Sequence, residues 1–159
     1  MARHDSVRDT LVGWLKDQDL HAETEQHIPA WDVAGLRAVL DVAYIDKQIG
    51  ARHVDVSFVA SITHGGVDAG VRLARREKAK HTRYPGPTMV PFVLDVRGRW
   101  GNEAQAWARD VLREHDPEER QRRLQGLRWR VAKALQGAVA EQCRRSAKRR
   151  AGRPARAAP

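Results

Sequence analysis

Apolar residues recur along this chain at two different periods, and the changes of period mark its elements. Val7, Leu11, Trp14 and Leu15 share one face of a helical wheel, which predicts a first helix over 4–18. Alternation in "HAETEQHI" predicts a strand over 21–28, ended by Pro29 and followed by the loop "PAWDVAG". Two strongly apolar runs come next, "LRAVLDVAYI" at 36–45 and "RHVDVSFVA" at 52–60, joined across the polar turn "DKQIG". "THGGVDAG" then breaks the pattern ahead of a helix over 67–84, which "PGP" stops. "TMVPFVLDVR" at 88–97 predicts a fourth strand, with Pro91 pointing to an edge or a bulge. Two helices close the pattern: 101–114, and a long basic one over 117–147 with Pro117 in its first turn.

The order is α-β-β-β-α-β-α-α. Three consecutive strands, a crossover helix and one more strand predict an α/β fold with a mixed β-sheet flanked by helices. Two positions resist this simple reading. Asp41 and Asp55 each place a carboxylate inside an apolar strand. Burying such a charge costs several kcal/mol unless a cation or hydrogen bonds meet it, on the order of the penalties for unpaired polar groups. The two lie one hairpin apart, so neighbouring strands can set them side by side. Like charges at that distance repel, and a divalent cation between them removes the repulsion. Magnesium suits the role, being hard, oxygen-seeking and accustomed to keeping waters. The plainer reading is two separate aspartates, each hydrogen-bonded at a strand end or facing solvent.

Charge enlarges the picture. The 159 residues carry 29 Lys and Arg against 20 Asp and Glu, a net charge of +9 that draws polyanions, nucleic acid above all. Arg75, Arg76, Lys78, Lys80 and Arg83 crowd the second helix, and "CRRSAKRRAGRPARAAP" closes the chain. That last stretch has too few apolar residues to fold alone and reads, from 148 to 159, as a disordered basic tail or nuclear address. The single cysteine, Cys143, excludes an internal disulfide and a cysteine zinc cluster. No signal-peptide pattern opens the sequence and no apolar run approaches a membrane span.

A phosphate-cleaving site needs a cation near the attacked group. The wheel of the second helix sets Lys78 on the face of Val67, Val71 and Ala74, hence inward, and turns Lys80 nearly the opposite way. Glu25, in the first strand, offers a third oxygen, although Glu23 shares its face by period two. Tyr84 precedes "PGP" either as the packing terminus of its helix or as a contact for a nucleic-acid backbone. His53, His64 and His81 form no metal set, and no Ser/His/Asp signature, phosphate loop or CxxC pair is present.

Glu25, Asp41, Asp55 and a lysine from the next helix follow the order of the PD-(D/E)XK proteins, whose fold is restriction-endonuclease-like. The usual lysine position, two residues after the second acid, is Ser57 here. This departure resembles the endonuclease domains of non-LTR retrotransposon and reverse-transcriptase-like polyproteins, which carry the lysine on the following helix ahead of a tyrosine. "RHDSVRDTL", "TEQHIPAW", "RAVLDVAY", "VDVSFV", "REKAKHTRYPG", "VPFVLDVRGRWG" and "ALQGAVAEQ" are similar, in the same order, to the blocks of such domains, from His4 to about Arg145.

The resemblance implies a nuclease domain over 1–147. Asp41 and Asp55 become ligands of Mg2+, or of Mn2+ in its place, with Glu25 as assistant. Lys80 becomes the catalytic lysine, against the wheel's preference for Lys78, and Tyr84 its companion. DNA is the implied substrate, nicked so that its 3′ hydroxyl primes reverse transcription of the element's RNA by the reverse transcriptase, in the nucleus. A catalytically inactive nucleic-acid-binding module of the same fold is the alternative, and a basic structural protein, with the two aspartates far apart, is a third. No heptad seam predicts an oligomer.

Overall fold

The computed structural model describes residues 2–60 and 68–151. Its elements run α1 (Ala2–Lys16), β1 (Ala22–His27), a 3-10 turn (Pro29–Trp31), β2 (Val39–Asp46), β3 (Gly50–Val59), α2 (Ala69–Arg83), β4 (Met89–Asp95), α3 (Asn102–Val111) and α4 (Pro117–Ala151). The four strands form one sheet in the order β1-β2-β3-β4. The first two pairings are antiparallel and β3–β4 is parallel, so the sheet is mixed and α2 is its crossover. Pro91 lies on β4, an edge strand, where a missing N–H is tolerated. The α4 backbone stays helical through Ala151, beyond the expected bound of 147; His64, Val67 and residues 152–159 fall outside the described residues.

The strand period explains the layers. Val54 and Val56 of β3 and Val90, Phe92 and Leu94 of β4 join one core with Val7, Leu11, Trp14 and Leu15 of α1 and Ala104, Trp107 and Ala108 of α3. Leu124, Leu127, Val131 and Leu135 of α4, spaced three or four apart, complete it. Each fully buried leucine of this kind stabilises by roughly 1.5–3 kcal/mol. Trp107 packs edge-on against Trp14 and Phe92, and its Nε1–H donates to the Tyr44 hydroxyl at 2.9 Å, so these two buried polar groups satisfy each other. A smaller core on α2's side holds Ala38, Leu40, Tyr84 and Met89, with Trp31 and Ile28 against it. The β2–β3 turn is closed by Asp46, whose Oδ1 accepts from the N–H groups of Gln48 and Ile49, and by Gly50 at φ +88°.

Candidate active site

The β2–β3 ladder ends at the pair Val42–Val54, and one step further stand Asp41 and Asp55. There the Asp41 side chain replaces a ladder bond: its Oδ2 accepts the Val56 N–H at 2.6 Å. His4, near the start of α1, reaches the same oxygen with Nε2 at 3.0 Å. That hydrogen bond to Asp41 raises the His4 pKa against the lowering effect of burial. Asp55 is 5% exposed and ion-paired through Oδ2 with the Lys80 ammonium of α2. Burial pushes the Asp55 carboxyl up; the Lys80 charge pulls it back, Asp41's adds to the rise, and the net shift is upward. The two aspartates thus stand as electrostatic neighbours, not at opposite ends of the sheet.

Lys80 comes inward because the face of α2 that meets the sheet is Leu73, Glu77, Lys80 and, at its C-cap, Tyr84, spaced four, three and four apart. The expected inward face was wrong. Val71 is 51% exposed, and Ala74 and Lys78 are exposed as well. The helix buries a glutamate and half-buries a lysine on its inner face, so hydrophobicity alone selects the other side. Tyr84 is a buried packing terminus: its ring lies 5.7 Å from the Lys80 Nζ and 5.7 Å from the ring of Trp31, which in turn packs against His53.

Glu25 does not join the pair. It takes a left-handed conformation, φ +56°, which interrupts the strand alternation, and its Oε1 meets Arg8 Nη1 of α1 at 2.5 Å with the side chain largely exposed. Glu23 is exposed beside His21. His81 pairs with Glu103, away from the aspartates. Among the described residues, no group of three or more His, Cys, Asp and Glu gathers to hold a metal. Two adjacent carboxylates are nonetheless a donor set that magnesium accepts, since it is commonly held by one or two carboxylates and keeps waters at its other positions.

Two residues at or near the site carry no sequence signal. His4 sits in a polar stretch of α1 with no motif of its own. Glu77, buried at 5% exposure, reads as one more charge on a basic helix, yet its Oε1 accepts the Glu103 N–H at 2.9 Å and so caps α3 from a neighbouring helix. Burial raises the Glu77 pKa. Beside the site, α2 exposes Arg75, Arg76, Lys78 and Arg83. Searches against protein-family models and curated proteins find no match for this chain. Among the described residues, no helix is long and apolar enough to cross a membrane.

Proposed function

We propose that the chain is a magnesium-dependent DNA endonuclease domain with the restriction-endonuclease-like fold, akin to those of non-LTR retrotransposon polyproteins. The observation that carries this reading is the Asp41–Asp55 step with Lys80 delivered onto it from the following helix. Ser57, on the strand position where the usual lysine would stand, is small and buried, which leaves the approach to Asp55 to Lys80.

In this reading Asp41 and Asp55 hold the ion, and the ion supplies Lewis-acid charge and water activation when bound. His4 and the Val56 N–H both meet Oδ2 and fix the orientation of the Asp41 carboxylate that would hold the ion. The Lys80 ammonium orients the attacking water and offsets the charge that develops on the phosphate. Water oxygen bonds to phosphorus and gives up a proton as the P–O3′ bond breaks, and the departing 3′ oxygen takes up a proton in turn, leaving a 3′ hydroxyl and a 5′ phosphate. Tyr84 is a positioning residue, its ring lying against the lysine. The exposed cations of α2 draw the DNA backbone toward the site, and binding weakens steeply with salt.

One observation favours a second reading. With Glu25 committed to Arg8, two carboxylates remain at the step among the described residues, as in a nucleic-acid-binding module that has lost catalysis. Incubation with supercoiled plasmid and magnesium separates the two. Nicking that disappears in Asp41→Ala supports the nuclease; tight binding with no nicking at any magnesium or manganese concentration supports the module.

A further inference from the structure

The loop after the Pro29–Trp31 turn is built with more care than a connection requires. Val33 and Leu36 exchange both backbone hydrogen bonds, Val33 N–H to Leu36 O at 3.2 Å and Leu36 N–H to Val33 O at 2.8 Å. Ala34 and Gly35 between them have φ of +41° and +81°, the signature of a primed two-residue turn. Alanine adopts that conformation reluctantly, so the tip is held in it by what lies beneath. Asp32 Oδ1 accepts the Ala38 N–H at 2.7 Å, and the same carboxylate meets His27 Nε2 at 2.9 Å. Arg37 Nη2, which can only donate, occupies His27 Nδ1 at 2.9 Å, so the ring proton lies on Nε2 and points at Asp32. The braced tip then holds its two aliphatic side chains in water: Val33 is 52% exposed and Leu36 59%.

The tip also adjoins the candidate active site. Trp31, two residues before Val33, donates its Nε1–H to the Pro85 carbonyl at 2.8 Å and packs at a tilt against Tyr84, which lies against Lys80, the partner of Asp55. Two exposed cations lie among these residues: Arg37, bonded to His27 under the tip, and Arg83, whose guanidinium stands 5.2 Å from the Tyr84 ring. Rigid aliphatic side chains flanked by cations are what proteins insert between base pairs to unstack a step.

We propose that Val33 and Leu36 form a wedge that enters a base step of the bound duplex and unstacks it next to the phosphate being cut. This inference rests on the nuclease reading above. The wedge supplies unstacking that negative supercoiling would otherwise supply, so its loss falls hardest on relaxed DNA.

The test compares the full chain with a Val33→Ser/Leu36→Ser variant on supercoiled and on relaxed, covalently closed plasmid in magnesium. Both positions are exposed and outside the cores, so the variant folds, and Leu36→Met serves as a control that keeps an apolar tip. The expected result is that the serine variant loses about tenfold more activity on relaxed than on supercoiled plasmid, whereas Leu36→Met stays near the parent ratio. A rise in 2-aminopurine fluorescence when the parent binds labelled duplex, absent with the serine variant, is expected alongside. An unchanged ratio together with an unchanged fluorescence rise overturns the wedge and leaves the tip to a protein partner. Failure of the nuclease reading is distinct from both: the parent chain then nicks neither plasmid.

Discussion

Lys78 and Lys80 stand two positions apart on α2 and face different media. Lys78 is in solvent, and Lys80 is folded against Asp55 under the ring of Tyr84. If the site cleaves DNA, Lys80→Ala lowers the nicking rate on the order of a hundredfold or more, as for other groups that meet transition-state charge. Lys78→Ala lowers it only a few-fold, through weaker backbone contact, and initial rates on one plasmid give both values. Asp46 makes a prediction independent of function. Its carboxylate accepts Arg113 at 2.8 and 3.0 Å and two turn N–H groups, and Arg113 above all holds it at about 2 against an ordinary 3.8. A carboxyl depressed in the folded state stabilises fully above the unfolded value and loses that stabilisation as pH falls through 3.8 toward 2. The contribution is about 2 kcal/mol. Urea unfolding of Asp46→Asn is expected to show a loss of that order at neutral pH and a flatter decline over the acid range; parallel pH profiles for variant and parent would refute the assignment.

The elements themselves were legible because period and punctuation agree on them. Helix and strand boundaries fall within a few residues of those read from the apolar pattern, and Pro29, "PGP" and Pro117 mark real ends. Asp41 and Asp55 stood out for a physical reason: a charge inside an apolar strand needs an explanation. The same logic hid Lys80, because α2 turns its polar Glu77 and Lys80 toward the sheet and leaves Val71 outside, so a wheel built on hydrophobicity points the wrong way. Glu25 was misplaced because strand alternation assumes extended backbone, and a left-handed residue breaks it. "PAWDVAG" gave no sign of a braced tip, since Ala34 occupies a place where asparagine would have announced the turn. The α2–α3 contact yields a prediction at this scale. Gly101 starts α3 with no side chain, and a Cβ there would stand 2.1 Å from the Glu77 Oε1 that caps the helix. Gly101→Ala is expected to cost about 1–3 kcal/mol as overpacking. In a Glu77→Ala background much of that cost disappears, so a double-mutant cycle by chemical denaturation shows coupling; simple additivity would mean that the carboxylate does not fill that space.

At the scale of the molecule, the sheet lies between α2 on one face and α1, α3 and α4 on the other, and the aspartate step opens where β2 and β3 part. The net charge of +9 is unevenly available. On α4, Arg122 and Arg123 turn to Glu119, Arg130 to Asp17, and Arg144 and Arg145 to Glu141. On α2, Arg75 and Lys78 are exposed and make no ion pair among the described residues. In the proposed nuclease the exposed cations of α2, on the same helix as Lys80, draw the DNA backbone toward the site. The most direct measurement of the central claim is the nick itself. Covalently closed plasmid is treated with the parent chain and with Asp55→Asn in magnesium, the products are offered to DNA ligase, and binding is followed in parallel. The account predicts a parent nick that ligase reseals, as a 3′ hydroxyl and 5′ phosphate require, and a variant that binds but does not cut. Equal nicking by both chains, or a parent that binds DNA and never cuts it in any divalent metal, would contradict it.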